Sequence, residues 1–392
     1  FKNVGNVRFL ACGGDGTGKW VMEVMDKLTF TKPAPPVGLC PLGTGNDISR
    51  VLGWGGGYSG ESLHTIVKHI KDAEPIMMDR WDITVTSYDD RGIEVEKQHN
   101  SLNNYLCIGY ADARVALQFH KKRESNPNLF FSRKVNKLWY GTYGALDMLE
   151  EVVKKAVPLK QVLVLKIDGK VVDLPSNIEG IICLNIPSYA GGMNMWGVRR
   201  DPDFQQVSLS DGLIEVIGLK STYHLTTIGT GRDYGERLGQ GKHIEIDFSG
   251  SPCMPGKIDG EPWLQETRAI YEIKYLGQNT MLAKQGSVGA TTYGCSICGW
   301  LVKKPGTTGQ WRLRWFTLKN GVISYYATRQ DVVPKGRLDV QGCCVGVSTQ
   351  CKYGFEIDTT ERVYVFSCLE TNEDLQLWIS ACIAAGAFSK AI

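Results

Sequence analysis

Residues 7–12, Val-Arg-Phe-Leu-Ala-Cys, form an apolar run that stops at Gly13-Gly14-Asp15-Gly16-Thr17-Gly18, after which Trp20, Val21, Val24, Met25 and Leu28 recur at helical spacing. This reads as strand, glycine turn, helix. Residues 37–41 begin the same pattern again: a short apolar strand, the turn Gly43-Thr44-Gly45-Asn46-Asp47, and a helix started by Ile48, Val51 and Leu52 with Asn46 or Asp47 as its cap. Strands alternating with helices predict a parallel sheet that takes ligands at the carboxyl ends of its strands. Of the 45 glycines, 13 fall in the first 60 residues, a local excess that needs a cause. Backbone N–H groups with no Cβ in the way, backed by a helix N-terminus, suit a phosphate. A tight strand-to-helix connection explains one such turn equally well. Two of them favour a nucleotide, and the carboxylate in each, Asp15 and Asp47, would repel phosphate unless Mg²⁺ intervenes. Neither turn continues into the Gly-Lys-Ser/Thr of a P-loop or fits the six-residue dinucleotide fingerprint.

From residue 81 the character changes. Short β-rich runs at 83–87, 93–96, 161–167, 180–186, 213–217, 244–247 and 269–275 are separated by turns such as Asp168-Gly169 and Asp211-Gly212, which predicts a second, mainly antiparallel domain. Residues 285–292 are small and polar and read as a linker. Beyond them lie strands rich in Trp, Tyr and Val, then a closing helix whose Leu375, Leu377, Trp378, Cys382 and Ile383 form an apolar face. The expected division is 1–79, 80–284, a linker at 285–293, and 294–388.

Composition narrows the function class. With 43% apolar and 22% charged residues, the chain is neither disordered nor fibrous. A net charge of +3 is too small for a nucleic-acid footprint, so no nucleic-acid partner is expected. No run approaches the roughly 18 apolar residues of a spanning helix. The twelve cysteines lack the paired spacing of a zinc module and read as reduced thiols of a cytoplasmic protein.

The two glycine turns resemble the nucleotide-binding signatures of the diacylglycerol kinase catalytic domain. The resemblance continues in order through Asn104-Tyr105 to Gly109, Phe119-His120, Phe131-Ser132-Arg133, Asn136-Lys137-Leu138-Trp139-Tyr140, Asn185-Ile186-Pro187-Ser188, Asp211-Gly212-Leu213 and Asp259-Gly260-Glu261-Pro262-Trp263. It covers roughly residues 1–280. It implies an ATP-dependent phosphotransferase that turns diacylglycerol into phosphatidate and so attenuates diacylglycerol signalling at membranes. By this resemblance Gly13, Gly14, Gly16, Thr17, Gly43, Thr44, Gly45 and Asn46 would bind ATP, with Asp15 and Asp47 on Mg²⁺ or the ribose side. Asp259, with Glu261 two residues on, would be the base, and Asp15 is the alternative. Asp-Gly is also the commonest hairpin dipeptide. The family places a strand and a glycine-containing loop before the first signature, so the expectation is an α/β nucleotide-binding domain cut at its N-terminus. Two other readings stay open: a ceramide or sphingosine kinase, and an inactive membrane-binding adaptor.

Two basic clusters point at membranes. Lys121, Lys122, Arg123, Arg133, Lys134 and Lys137 face one acid, Glu124, and each basic residue near an anionic leaflet contributes about 1 kcal/mol. Between residues 299 and 341 there are eight basic residues and two acidic ones. There Gly299-Trp300-Leu301-Val302-Lys303-Lys304, Trp311-Arg312-Leu313-Arg314-Trp315-Phe316 and Trp378 resemble a pleckstrin homology domain, a β-barrel capped by a helix. By that resemblance Lys303, Arg312, Arg314 and Tyr326 would hold phosphoinositides, and the protein would sit peripherally at membranes. A protein-binding scaffold is the alternative reading of this domain.

Overall fold

A computed structural model describes residues 5–389 except 31–32, 59, 127–156, 198–200, 202, 206, 230–232, 251–252, 285–296, 305–310, 320, 329–330, 332 and 369–371. The chain divides into two compact units, with the break at Gln285/Gly286.

In the first unit, β1 (Phe9–Gly13) leads into α1 (Asp15–Asp26), and β2 (Val37–Pro41) into the short α2 (Asp47–Val51) and then α3 (Leu63–Asp72). β1 and β2 pair in parallel from Phe9↔Val37 to Gly13↔Pro41, as the alternating pattern predicts. The first glycine turn is shorter than its sequence implies, because Asp15 to Gly18 already belong to α1. This helix turns Gly18, Met22 and Met25 inward, and Gly18 lies against Leu39 of β2. Trp20, Val24 and Leu28, expected on the apolar face, are exposed. A Cβ at Gly18 would stand 3.1 Å from the Leu39 side chain, so glycine suits the face of the helix that packs on the sheet, and Trp20, Val24 and Leu28 lie on the other side.

The parallel pair is the end of a larger sheet. β3 (Glu74–Tyr88), β4 (Glu94–Leu102), β6 (Leu163–Ile167), β7 (Lys170–Val171), β11 (His243–Phe248) and β14 (Ala269–Ala283) complete it. β14 is the seam. One edge pairs with β3 along its length, and the other pairs antiparallel with β11 and, at Met281↔Val37, parallel with β2. The strand expected at 269–275 thus runs on for eight more residues to join the two halves. The division expected at 79/80 falls inside β3, and both sides of it belong to one compact unit.

A second, antiparallel sheet has the order β10-β9-β8-β5-β12-β13, with β5 Tyr105–Gly109, β8 Gly180–Leu184, β9 Ile214–Leu219, β10 Glu236–Gly241, β12 Met254–Ile258 and β13 Glu261–Gln265. Period-two alternation gives it two buried faces. Leu106, Ile108, Ile181 and Val216 share one core with Ile83, Ile246 and Ile273 of the first sheet. Tyr105, Cys107, Ile182 and Ile217 form another, with Ala113 of α4 (Ala113–Ser125) and Ile228 of α5 (Thr222–Gly229).

The second unit is a barrel-like sheet of β15 (Ile297–Lys303), β16 (Arg312–Lys319), β17 (Val322–Tyr326), β18 (Gly336–Asp339), β19 (Cys344–Ser348), β20 (Gly354–Asp358), β21 (Val363–Cys368) and β22 (Phe388–Ser389). It is closed by α6 (Asn372–Ala384), whose Trp378 stacks on Phe355 at 6.1 Å between ring centroids. No helix among the described residues is long and apolar enough to cross a membrane.

Candidate active site

Asp15 sits in the first turn of α1, yet its carboxylate serves the second glycine turn. Its Oδ2 accepts from the Asp47 N–H at 2.9 Å and its Oδ1 from the Ile48 N–H at 3.0 Å. Asp15 therefore caps α2 from 32 residues away, and its charge meets the positive end of that helix. This corrects the expected caps. Asn46, left-handed at φ 56°, donates its amide to the carbonyls of Gly43 and Gly56 instead, which ties the glycine-rich connection at 53–57 to the second turn. Burial and the neighbouring Asp47 carboxylate, with Asp259 adding less, push the Asp15 carboxyl up to about 6.

Asp47 is nearly sealed, at 3% exposure. Its Oδ1 accepts from the Ser188 hydroxyl (2.6 Å) and the N–H groups of Gly191 (2.9 Å) and Gly192 (3.1 Å). The geometry gives it a clamping role, holding the loop after β8 to the parallel pair. The role on Mg²⁺ or ribose finds little room here, because three donors already surround one oxygen.

The glycines separate into two kinds. A Cβ on Gly13 would lie 2.1 Å from Thr17 Oγ1, and a Cβ on Gly43 would lie 2.5 Å from the Gly14 Cα. Gly14 and Gly43 are glycine because the two turns touch backbone to backbone, while at Gly13 the added atom would meet only the side chain of Thr17. Gly16 is different: it is exposed, with nothing within 4 Å of an added Cβ. With exposed Thr44 and half-buried Lys19 it forms the open edge of the site. Gly14, at the N-cap of α1, has no side chain to cap the helix, so its N-terminal amides are a place for phosphate oxygens. Gly16→Ala should leave thermal stability unchanged and raise the KM for ATP several-fold, whereas Gly43→Ala should lower the melting temperature. Equal melting losses in both would remove the distinction.

Asp259 and Gly260, at φ 48° and 98°, make the two-residue turn between Ile258 of β12 and Glu261 of β13. The hairpin reading of Asp-Gly is thus correct, and the carboxylate has a second role. Its Oδ1 accepts from the N–H groups of Asn104 (2.8 Å) and Tyr105 (3.1 Å), and its Oδ2 from Asn103 (3.2 Å). Lys19 Nζ of α1 reaches the same Oδ2 at 3.3 Å. Glu261 stands exposed at the start of β13. The carboxylates of Asp15, Asp47 and Asp259 are thus gathered where both glycine turns meet the second sheet. Among the described residues no cluster of three or more His, Cys, Asp or Glu could hold a metal ion.

Two residues of this site have roles that no local pattern assigns, although Asn185 stands within the Asn185-Ile186-Pro187-Ser188 motif. Lys19 reads as an ordinary helix lysine until the fold brings Asp259 to it. Asn185, fully buried, donates its amide to the carbonyls of Asp79 (2.8 Å) and Asn103 (2.7 Å) and accepts from the Trp81 indole (2.8 Å). It fixes the corner whose amides hold Asp259.

In the second unit Lys303 pairs with Arg312 across β15 and β16, and its ammonium lies 3.9 Å from the Tyr325 ring centroid. Arg314 shares the face of Arg312, two residues along the strand. Tyr326, expected beside them, is 1% exposed in a cluster with Cys298 and Trp315. The ladder Phe316↔Tyr325 puts Tyr325, not Tyr326, on the basic face. Of the basic run at 121–137, Lys121 and Arg123 are exposed on α4, while Arg133, Lys134 and Lys137 lie outside the described residues.

Three family models match successive stretches of the chain. The family model described as the diacylglycerol kinase catalytic domain matches residues 2–78, that of the diacylglycerol kinase accessory domain residues 101–262, and that of the PH domain residues 295–387. Diacylglycerol kinase 2 of Arabidopsis thaliana is 40% identical over 283 residues, covering 71% of this chain and 39% of that protein. Diacylglycerol kinase theta of Mus musculus is 36% identical over 273 residues, 68% of this chain and 28% of its own. The chain thus spans less than half the length of these curated relatives. A crystal structure of a diacylglycerol kinase from Bacillus anthracis aligns with 70% of this chain and 76% of its own at 17% identity and a TM-score of 0.39.

Proposed function

This chain belongs to the diacylglycerol kinase family, and we propose that it transfers the γ-phosphate of ATP to the free hydroxyl of a 1,2-diacylglycerol, giving phosphatidate. The observation that carries the reading is the seat of Asp259. Its carboxylate rests on three backbone amides, touches Lys19, and lies where the second sheet meets the glycine turns.

In this reading the phosphates of ATP lie over Gly16 and Thr17 at the start of α1, with Gly43, Thr44 and Gly45 beside them. Lys19 stands between the transferring phosphoryl group and Asp259, offsetting charge on both. Asp259 takes the proton of the lipid hydroxyl as the new O–P bond forms and the bond from the γ-phosphorus to the bridging oxygen breaks. ADP leaves with that oxygen, which balances the reaction. Half-buried Asp15, with one backbone donor on each oxygen, is the carboxylate left to meet a Mg²⁺ carried on the phosphates of ATP, where the ion would neutralise charge. The basic face of Lys303, Arg312 and Arg314, with Tyr325 beneath Lys303, suits a phosphorylated headgroup and would hold the enzyme at the surface that contains its substrate.

The test is a panel of 1,2-diacylglycerol, ceramide and sphingosine in vesicles with labelled ATP and titrated Mg²⁺, with and without phosphoinositide. Phosphatidate should be the dominant product, and phosphoinositide should raise the rate in a manner that Arg314→Ala reduces. Labelling of another lipid would overturn the substrate, and no labelled lipid at all would overturn the enzyme.

A further inference from the structure

Cys12 and Cys40 are direct partners in the parallel ladder of β1 and β2, so their side chains leave the sheet on the same face. Neighbouring strands lie about 4.8 Å apart, which falls within the roughly 4.4–6.8 Å between Cα atoms that a disulfide spans. The two thiols are close enough that Cys12 helps raise the pKa of Cys40. Cys12 is exposed and Cys40 half-buried. Their face is that of α3: Gly38, two residues before Cys40, meets Ile70, whereas Leu39 meets α1 on the other side. The pair therefore stands clear of the phosphate edge at Gly16.

Each cysteine is joined directly to one of the glycine turns, and this gives the pair its reach. Gly13-Gly14 comes immediately after Cys12, and Pro41-Leu42-Gly43 immediately after Cys40. The Leu42 N–H donates to the Gly13 carbonyl at 2.8 Å, and a Cβ on Gly43 would meet the Gly14 Cα at 2.5 Å. The two turns thus have no slack. A disulfide holds its two Cβ atoms at about 3.8 Å, so forming one fixes the spacing of the two strand ends. Any change in that spacing must move one turn against the other.

We propose that Cys12 and Cys40 are a modification site, a thiol pair that a hydroperoxide oxidises to a disulfide at the base of the two glycine turns. Exposed Cys12 meets the oxidant. Its sulfur takes one oxygen to become a sulfenic acid, and the peroxide's other oxygen leaves as water or an alcohol. The Cys40 sulfur then attacks the sulfenic sulfur and expels a second water as the S–S bond forms. Two thiols are oxidised by two electrons, and one peroxide is reduced. Burial, with Cys12 beside it, pushes the Cys40 thiol up, which suits it to the resolving step rather than the first attack.

The experiment uses the full chain treated with one to five equivalents of hydrogen peroxide, alkylated and mapped by mass spectrometry, with ATP binding measured on the same samples. A cross-linked Cys12–Cys40 peptide two mass units below the reduced pair should appear, and dithiothreitol should remove it. Cys12→Ser and Cys40→Ser should each abolish it while the reduced proteins bind ATP as before. ATP affinity of the cross-linked protein should fall several-fold and return on reduction. If both thiols stay alkylatable while other cysteines oxidise, the site is overturned. If the cross-link forms and affinity does not change, its coupling to the turns is overturned. A protein that binds no ATP in either state would instead count against the kinase reading, and the peptide map would still decide the site.

Discussion

Replacing Asp259 by Asn is expected to lower turnover by about 10² to 10⁴ while ATP still binds. The position is left-handed, a backbone region that Asn tolerates as well as Asp, so the turn survives the change. The Asn carbonyl can still accept from Asn104 and Tyr105, and the loss falls on the Asn103 amide and on Lys19, both of which face Oδ2. What disappears is the group that, in the proposed reaction, takes the proton of the lipid hydroxyl. The measurement is kcat on vesicle substrate beside the Kd for ATP and a melting curve. If turnover stays within a few-fold of normal, the base is not Asp259, and the same assay on Asp15→Asn becomes decisive. Asp15 would announce itself by an acid limb near pH 6, where its carboxyl titrates: activity would fall as pH drops through that value, and the variant would lose the limb.

Asp47→Ala should be the most destabilising single change at this site, on the order of 3 kcal/mol, because it leaves a hydroxyl and two amides without their acceptor. The effect should appear in urea unfolding of the whole chain and in slower turnover. The loop after β8 would no longer be held against α2. Asp47→Asn, which keeps one acceptor oxygen, should recover much of the stability. A metal ligand would behave in the opposite way. If Asp47→Ala melted normally and only raised the Mg²⁺ needed for half-maximal rate, the clamping role would be wrong and the metal role restored.

These outcomes separate roles that look identical in sequence. Asp15 and Asp47 occupy comparable places in the two glycine turns, yet one is half-exposed and the other sealed. Gly14, Gly16 and Gly43 read alike as phosphate-cradling positions. Their surroundings differ because Gly14 and Gly43 press on each other across 29 residues while Gly16 faces open space. The Tyr325 and Tyr326 pair makes the same point on a strand. With a side-chain period of two, a shift of one residue moves a ring from the basic face into the opposite cluster.

By itself the sequence determined whatever depends on neighbours a few residues apart. The apolar runs of β1 and β2, the helices that follow them, the Asp-Gly hairpin at Asp259 and the paired basic residues of β15 and β16 are all local patterns with a fixed period. The motif order that marks the diacylglycerol kinase family was legible in the same way. Only the tertiary structure decided which carboxylate meets which amide. Asp15 finds its partners 33 residues away at Ile48, Asp47 at Gly191 and Asp259 at Asn104, 155 residues away. The single strand that joins the halves, β14, returns to β2 after more than two hundred residues. Such pairings are set by burial of whole sheets and by the cost of leaving an amide or carboxylate unmatched inside them, and no short window of sequence contains both partners.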